Sequence, residues 1–156
     1  MSDRYTLKLI KTDRLAYAGL TLLRLQVLDG DKQVAIFDTV SGQPRHQVFH
    51  TDSESKEGSM EPLGQGEYDV GGIHWAGEPW SYEGEISRGL GFAAIHLVDS
   101  QTKRSALEIH WDANRQTSPG TAGCIGLPTA AEMIQLLQYF KDEKRSPKKL
   151  VVAYGL

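Results

Sequence analysis

Thr21-Leu22-Leu23-Arg24-Leu25-Gln26-Val27-Leu28-Asp29-Gly30-Asp31, followed at once by Gln33-Val34-Ala35-Ile36-Phe37-Asp38-Thr39-Val40, decides how this chain is read. The first run alternates apolar and polar residues over most of its length and ends in an Asp-Gly-Asp turn signal. The second is rich in β-branched and aromatic residues. Two such runs around a Gly turn form a β-hairpin. Outward from it the pattern repeats. Thr6 to Lys11 reads as a strand on the N-terminal side. Pro62-Leu63-Gly64-Gln65-Gly66 reads as a turn leading into a strand that ends near Val70. Phe92–Val98 and Ala106–Trp111 read as two more strands, and Lys149–Tyr154 closes the chain as another. Sixteen glycines punctuate these segments, as expected of a sheet-rich domain with many turns.

One segment breaks the period. Thr129-Ala130-Ala131-Glu132 follows Pro128 with the spacing of a capping box. Met133, Leu136, Leu137 and Phe140 then recur at helical spacing, which predicts a helix over about 129–143 whose apolar stripe is core. The polar stretch from Gln43 to Met60 reads as an exposed loop. The segment from Trp75 to Gly91, with Trp80 and Tyr82, reads either as a lid or cleft wall or as a loop anchored by a buried tryptophan.

The 156 residues suffice for one domain, 1–156, with one core. Hydrophobic residues make up 40% and charged residues 24%, ordinary for a globular chain, and the formal charge is −3. That balance argues against a general nucleic-acid binder. The basic cluster Lys141, Lys144, Arg145, Lys148 and Lys149 is interleaved with Asp142 and Glu143 and reads as a solvated helix end. No apolar run approaches the ~20 residues a membrane-spanning helix needs. Met1-Ser2-Asp3-Arg4-Tyr5 opens no export signal, so no Sec route and no membrane partner are expected.

Cys124 is the single cysteine, within Pro119-Gly120-Thr121-Ala122-Gly123-Cys124-Ile125-Gly126-Leu127. One thiol makes neither an internal disulfide nor a multi-cysteine metal site. It is a core residue or a nucleophile. Ile125 and Leu127 alternate with it as core residues do. The flanking glycines favour the nucleophile, because they allow a sharp turn with amides close to a reacting carbonyl. His110 lies fourteen residues upstream, at a strand end, where it can deprotonate the thiol or hold it as an ion pair. The amides of Gly123 and Cys124 then face the oxyanion. His96 is the second candidate base or an orienter of His110, against a plain reading as a sheet-surface histidine. With the Phe92–Val98 and Ala106–Trp111 strands joined by a turn near Lys103, His96 and His110 fall opposite each other on one face. His46, His50 and His74 complete the five histidines, and none forms a zinc-hydrolase pattern. No metal and no cofactor are called for.

These pieces, in this order, resemble the L,D-transpeptidase (YkuD-type) catalytic domains. There a His precedes Gly, and Ser/Thr-His-Gly-Cys-Ile-Arg follows; here Ile109-His110 precedes Thr121-Ala122-Gly123-Cys124-Ile125. Asp38-Thr39-Val40-Ser41-Gly42 is similar to a Val-Ser-Thr-Gly strand end, and Pro62-Leu63-Gly64-Gln65-Gly66-Glu67-Tyr68 to a Thr-Pro-x-Gly-x-Phe segment. The resemblance implies a mainly β fold, a mixed β-sandwich or YkuD-like sheet with the cysteine loop at its end. It implies attack by the Cys124 thiolate on a peptidoglycan stem peptide, with release of terminal D-alanine and transfer of the acyl group to an amine or to water. It makes His110 the base, Gly123 and Cys124 the oxyanion donors, and Thr121 a support of the loop. Three positions depart from the family: Gly126 replaces Arg, Ala122 replaces His, and Trp111 replaces Gly. Trp111, with Trp80 and Tyr82, is expected to line the substrate cleft, and Trp111 to narrow it.

The function expected is therefore a cysteine acyltransferase acting on stem peptides. The alternatives are an L,D-carboxypeptidase or endopeptidase delivered as a toxin or phage lysis factor, and a non-catalytic wall-peptide binding module. Action at the cell wall or periplasm requires a non-Sec route, and the protein is otherwise cytoplasmic. The enzymatic readings require thiol and imidazole to be neighbours, with the sulfur outside the hydrophobic interior.

Overall fold

A computed structural model describes residues 4–51, 54, 58–82, 91–99 and 107–156. The protein is mainly β. Strands β1 (Tyr5–Leu15), β2 (Thr21–Asp29), β3 (Lys32–Ser41), β4 (Gly66–Trp75), β5 (Ala93–Val98), β6 (Leu107–Trp111), β7 (Ile125–Leu127) and β8 (Lys149–Ala153) form one sheet. Its order is β1-β2-β3-β7-β6-β5-β4-β8, and it closes into a barrel. The hairpin read from the sequence is β2–β3, with Asp29 opposite Lys32 across a Gly30-Asp31 turn.

The mainly β class expected above holds, while the sheet is a single closed barrel rather than a β-sandwich. The last strand is the reason. β8 pairs parallel with β1 and antiparallel with β4, so it satisfies the backbone groups of both strands that an open sheet would leave as edges. The sheet is mixed, since β6 and β7 also run parallel. Inward alternation fills the lumen with side chains, Leu7, Leu9, Leu23, Leu25, Ile95, Ile109, Ile125 and Leu150 being fully buried.

The helix forms where its cap places it. α1 (Ala130–Leu137) starts after Thr129, whose Oγ1 accepts from the Glu132 amide at 3.2 Å and donates to Glu132 Oε1 at 3.2 Å. A 3₁₀ turn, Gln138–Phe140, ends it three residues short of the expected boundary. Met133, Leu136, Leu137 and Phe140 are buried and belong to the interior cluster. The polar loop after β3 is tied down. Gln47 Nε2 donates to the Ser41 carbonyl at 2.9 Å, Gln47 Oε1 accepts from the Thr21 amide at 3.0 Å, and Phe49 packs edge-on against Tyr154. Arg145, in the basic cluster, pairs with Asp29 at 3.0 Å and stacks on Tyr5. Among the described residues no helix is long and apolar enough to cross a membrane.

Candidate active site

The parallel pairing of β6 with β7 sets Ile109 opposite Ile125 and His110 opposite Gly126. Ile109 and Ile125 point into the interior cluster. By alternation His110 and Gly126 face away from that cluster. Cys124 immediately precedes β7, so the β6–β7 pairing brings the segment that carries it alongside the strand that carries His110. Cys124 is buried, 8% exposed, and counts with the core residues, although it is not part of the contact cluster that takes in Ile125 and Leu127.

The cysteine backbone is held by two hydroxyls. Ser41 Oγ donates to the Cys124 carbonyl at 2.6 Å, and Thr121 Oγ1 donates to the same oxygen at 2.7 Å. Each hydroxyl is held in turn. Ser41 Oγ accepts from the Leu63 amide at 2.8 Å, and Thr121 Oγ1 accepts from the Gly42 amide at 3.0 Å. The segments Val40-Ser41-Gly42, Pro62-Leu63-Gly64 and Thr121–Cys124 therefore converge on one carbonyl. Gly120 and Gly123 make the approach possible. Gly120 has φ +94° and a Cβ there would lie 2.4 Å from the Gly42 carbonyl; Gly123 has φ +113°.

Gly123 does not take the expected place as an oxyanion donor. Its amide donates to Thr121 Oγ1 at 3.3 Å, so it serves the loop's own turn. Thr121 supports the loop, as expected, and carries more of it than the sequence suggests.

Asp112 and Tyr17 were not read from the sequence. Asp112 is 2% exposed, and its Oδ2 accepts from Tyr17 Oη at 2.6 Å and from the Gly120 amide at 2.8 Å. The β1–β2 connection thereby clamps the cysteine loop from a position 95 residues away in the chain. Burial, then the bond to Asp112, push the Tyr17 hydroxyl above its ordinary pKa. Arg115 lies over the Tyr17 ring at 5.3 Å. Asp112 sits two residues after His110, on the same face, and that spacing is the signal that would have found it. Nothing in the chain order marks Tyr17.

His110 is 5% exposed, and its Nδ1 lies 2.7 Å from the Trp111 carbonyl. A carbonyl only accepts, so Nδ1 carries the proton and Nε2 is the basic nitrogen of the neutral ring. Burial lowers the His110 pKa, against opposing pulls from that carbonyl, Asp112 and Glu108. The ring is neutral near pH 7, which suits a general base better than a standing ion pair.

Gly126, where the resembling family carries Arg, sits where a side chain would press on its neighbours. A Cβ there would lie 3.0 Å from Thr121 Cγ2 and 3.3 Å from Asp112 Cβ. Bracing falls instead to Ser41, Thr121 and the Asp112–Tyr17 clamp. Ala122 is exposed at the loop tip.

His96 is not opposite His110. It faces Glu108, while His110 faces Ala94. Both histidines share the outer face, offset by two residues; the connecting residues 100–106, with Lys103, lie outside the described residues. His96 is exposed and is not adjacent to His110 in the sheet ladder. Trp111 alternates with His110 and turns the other way, its ring 6.2 Å from Phe92, so it does not narrow a cleft over the imidazole. Trp80 and Tyr82 pack with Trp75 and Phe92 in the same aromatic chain. Tyr82 Oη accepts from Gln138 Nε2 at 2.9 Å, and Lys141 lies over Trp80. These rings are packed against the core. The rest of the expected lid, residues 83–90, lies outside the described residues.

Among the described residues no group of three His, Cys, Asp or Glu could hold a metal ion. No protein-family model matches the chain, and no curated protein matches it.

Proposed function

We propose that this protein is a cysteine acyltransferase of the L,D-transpeptidase type that acts on peptidoglycan stem peptides. What supports the reading is the pairing of β6, which carries His110, with β7, which Cys124 immediately precedes, and the two buried hydroxyls that hold the cysteine carbonyl. A general base and a nucleophile within reach of each other, on rigid strands, are what acyl transfer needs. On this reading the barrel is the family's mixed sheet drawn closed by its last strand.

His110 Nε2 takes the thiol proton as Sγ attacks the carbonyl of the third stem residue. The C–N bond to the terminal D-alanine breaks, and the imidazolium returns the proton to the leaving amine. An amine or water then attacks the thioester, and His110 acts as base again. The first gives a cross-link, the second a tripeptide, and both take place at the cell wall. The Asp112 clamp keeps the loop from relaxing away from the imidazole between the two half-reactions.

Incubation with a disaccharide-tetrapeptide followed by intact-protein mass spectrometry tests the proposal. The expected result is an adduct of the acyl mass on Cys124, absent in Cys124→Ala. No adduct, together with alkylation of Cys124 by iodoacetamide only after unfolding, would overturn it and leave a wall-peptide binding module as the better account.

A further inference from the structure

Strand β3 is paired along one edge and mostly bare along the other. β2 runs beside it from Lys32 to Thr39, while β7 meets the opposite edge at Val40 and Ser41 only. The register says which residues face which side. Continuing the Leu23–Thr39 pair, Thr21 stands opposite Ser41, and Gln47 bridges the two, accepting from the Thr21 amide at 3.0 Å and donating to the Ser41 carbonyl at 2.9 Å. Odd-numbered residues at this end of β3 therefore turn their backbone groups toward β2. Ile36 and Asp38 are out of phase with them and turn theirs to the bare edge. Among the described residues no backbone group bonds them there. Tyr139 Oη, 3.5 Å from the Val34 carbonyl, closes one end of this edge, and β7 closes the other.

The edge opens into a groove of about 380 Å³, lined by Ala35, Ile36, Phe37, Gln135, Gln138 and Tyr139. Three successive strand residues line it although their side chains alternate between faces, so the groove follows the edge of the sheet. Its other wall is helical, from Gln135 in α1 to Tyr139 in the 3₁₀ turn. No lining residue is charged, and the neighbouring Asp38 carboxylate is engaged by Arg24 at 3.5 Å. Val34 is 37% exposed and Ile36 44% exposed, which leaves apolar surface beside the bare peptide groups.

A ligand that matches both walls has hydrogen-bonding groups on two opposite edges. An extended peptide is built that way. β3 can satisfy one row of its amides and carbonyls, and the carboxamides of Gln135 and Gln138 the other. Gln138 keeps its Oε1 for this purpose, since its Nε2 donates to Tyr82 Oη and to the Ile134 carbonyl. We infer that this groove takes in an extended, uncharged segment of another protein as an added strand between β3 and the helix. Strand addition draws affinity from main-chain bonds and specificity from the side-chain surface, here Ile36 and the Tyr139 ring. The acyl-transfer reading does not enter, so either can fail without the other.

The test is a titration of the nitrogen-labelled full chain with the peptide acetyl-Thr-Val-Thr-Val-Thr-amide, followed by amide resonances. The expected result is a saturable downfield shift of the Ile36 and Asp38 amide protons and slower exchange of both. The same peptide N-methylated at its valines, and the charged acetyl-Thr-Lys-Thr-Glu-Thr-amide, leave them unmoved. Ile36→Pro removes one outward donor and spares the β2 ladder, because that N–H faces away from β2. Its affinity falls about fivefold, the worth of one peptide hydrogen bond. Gln135→Glu, which keeps the shape of the wall and charges it, lowers the affinity as well and serves where the proline variant does not fold. No saturable shift in the wild type, indifference to N-methylation, or unchanged affinity in Gln135→Glu overturns the inference. Shifts of the same amides with protein concentration alone assign the edge to a second copy of the chain and overturn it too.

Discussion

Two hydroxyls on one carbonyl give a prediction with a definite sign. Ser41→Ala and Thr121→Val each remove one donor from the Cys124 oxygen. Each also strands amides, that of Leu63 in the first and those of Gly42 and Gly123 in the second. A lost bond costs about 1 kcal/mol and a stranded buried group about 1–3 kcal/mol, so Ser41→Ala is expected to lose about 2–4 kcal/mol and Thr121→Val more, since it strands a second amide. In either single variant the Cys124 carbonyl keeps one partner. In the double variant it loses both, and that penalty of about 1–2 kcal/mol appears only there. The double variant is therefore destabilised by more than the sum of the singles. The assay is urea denaturation of all four proteins, with sodium sulfate present so that the weakest remains folded at zero denaturant. Additivity within about 0.3 kcal/mol would show that the two hydroxyls do not share the carbonyl, and the account of the loop would fail with it.

Further outcomes follow from the same site. Burial lowers the His110 pKa in the folded state, so below its unfolded value of about 6.5 the unfolded chain binds a proton that the native protein refuses. Stability contributed by His110 is thus full above about pH 6.5 and falls as pH drops toward the folded value, and His110→Gln should flatten that part of the denaturation profile. A slope unchanged by the substitution would assign it to another group. Tyr17 is one of six tyrosines, and its hydroxyl is held protonated by burial and by Asp112. In an alkaline titration followed at 295 nm it should ionise only with unfolding, and Tyr17→Phe should cost about 1–2 kcal/mol while slowing alkylation of Cys124. Gly126→Ala should destabilise by about 1–3 kcal/mol through contact with Thr121 and Asp112, measured by thermal melting; a neutral effect would mean that the loop yields freely there.

The parts readable from the chain are those set by nearest neighbours. The Asp29–Lys32 turn, the Thr129 cap and the Met133–Phe140 stripe each depend on residues a few positions apart, and all three formed where their patterns stand. Alternation also survived: His96 and His110 share a face because strand parity is local. Their register did not survive, since it depends on how residues 100–106 connect the two strands, and a shift of two residues preserves the face while changing every partner.

Barrel closure and the clamp on Cys124 needed the folded chain. β8 joins strands 140 or more residues earlier at β1 and about 80 earlier at β4, and no local pattern says which edges a terminal strand will bridge. The Tyr17–Asp112 bond spans 95 residues. The thiol, its imidazole and the glycines around them were legible as residue types with known chemistry. The pairing that brings their segments side by side, the neutral state of the buried ring and the hydroxyls that hold the loop come from the folded chain, because burial and hydrogen-bond partners are properties of neighbours in space.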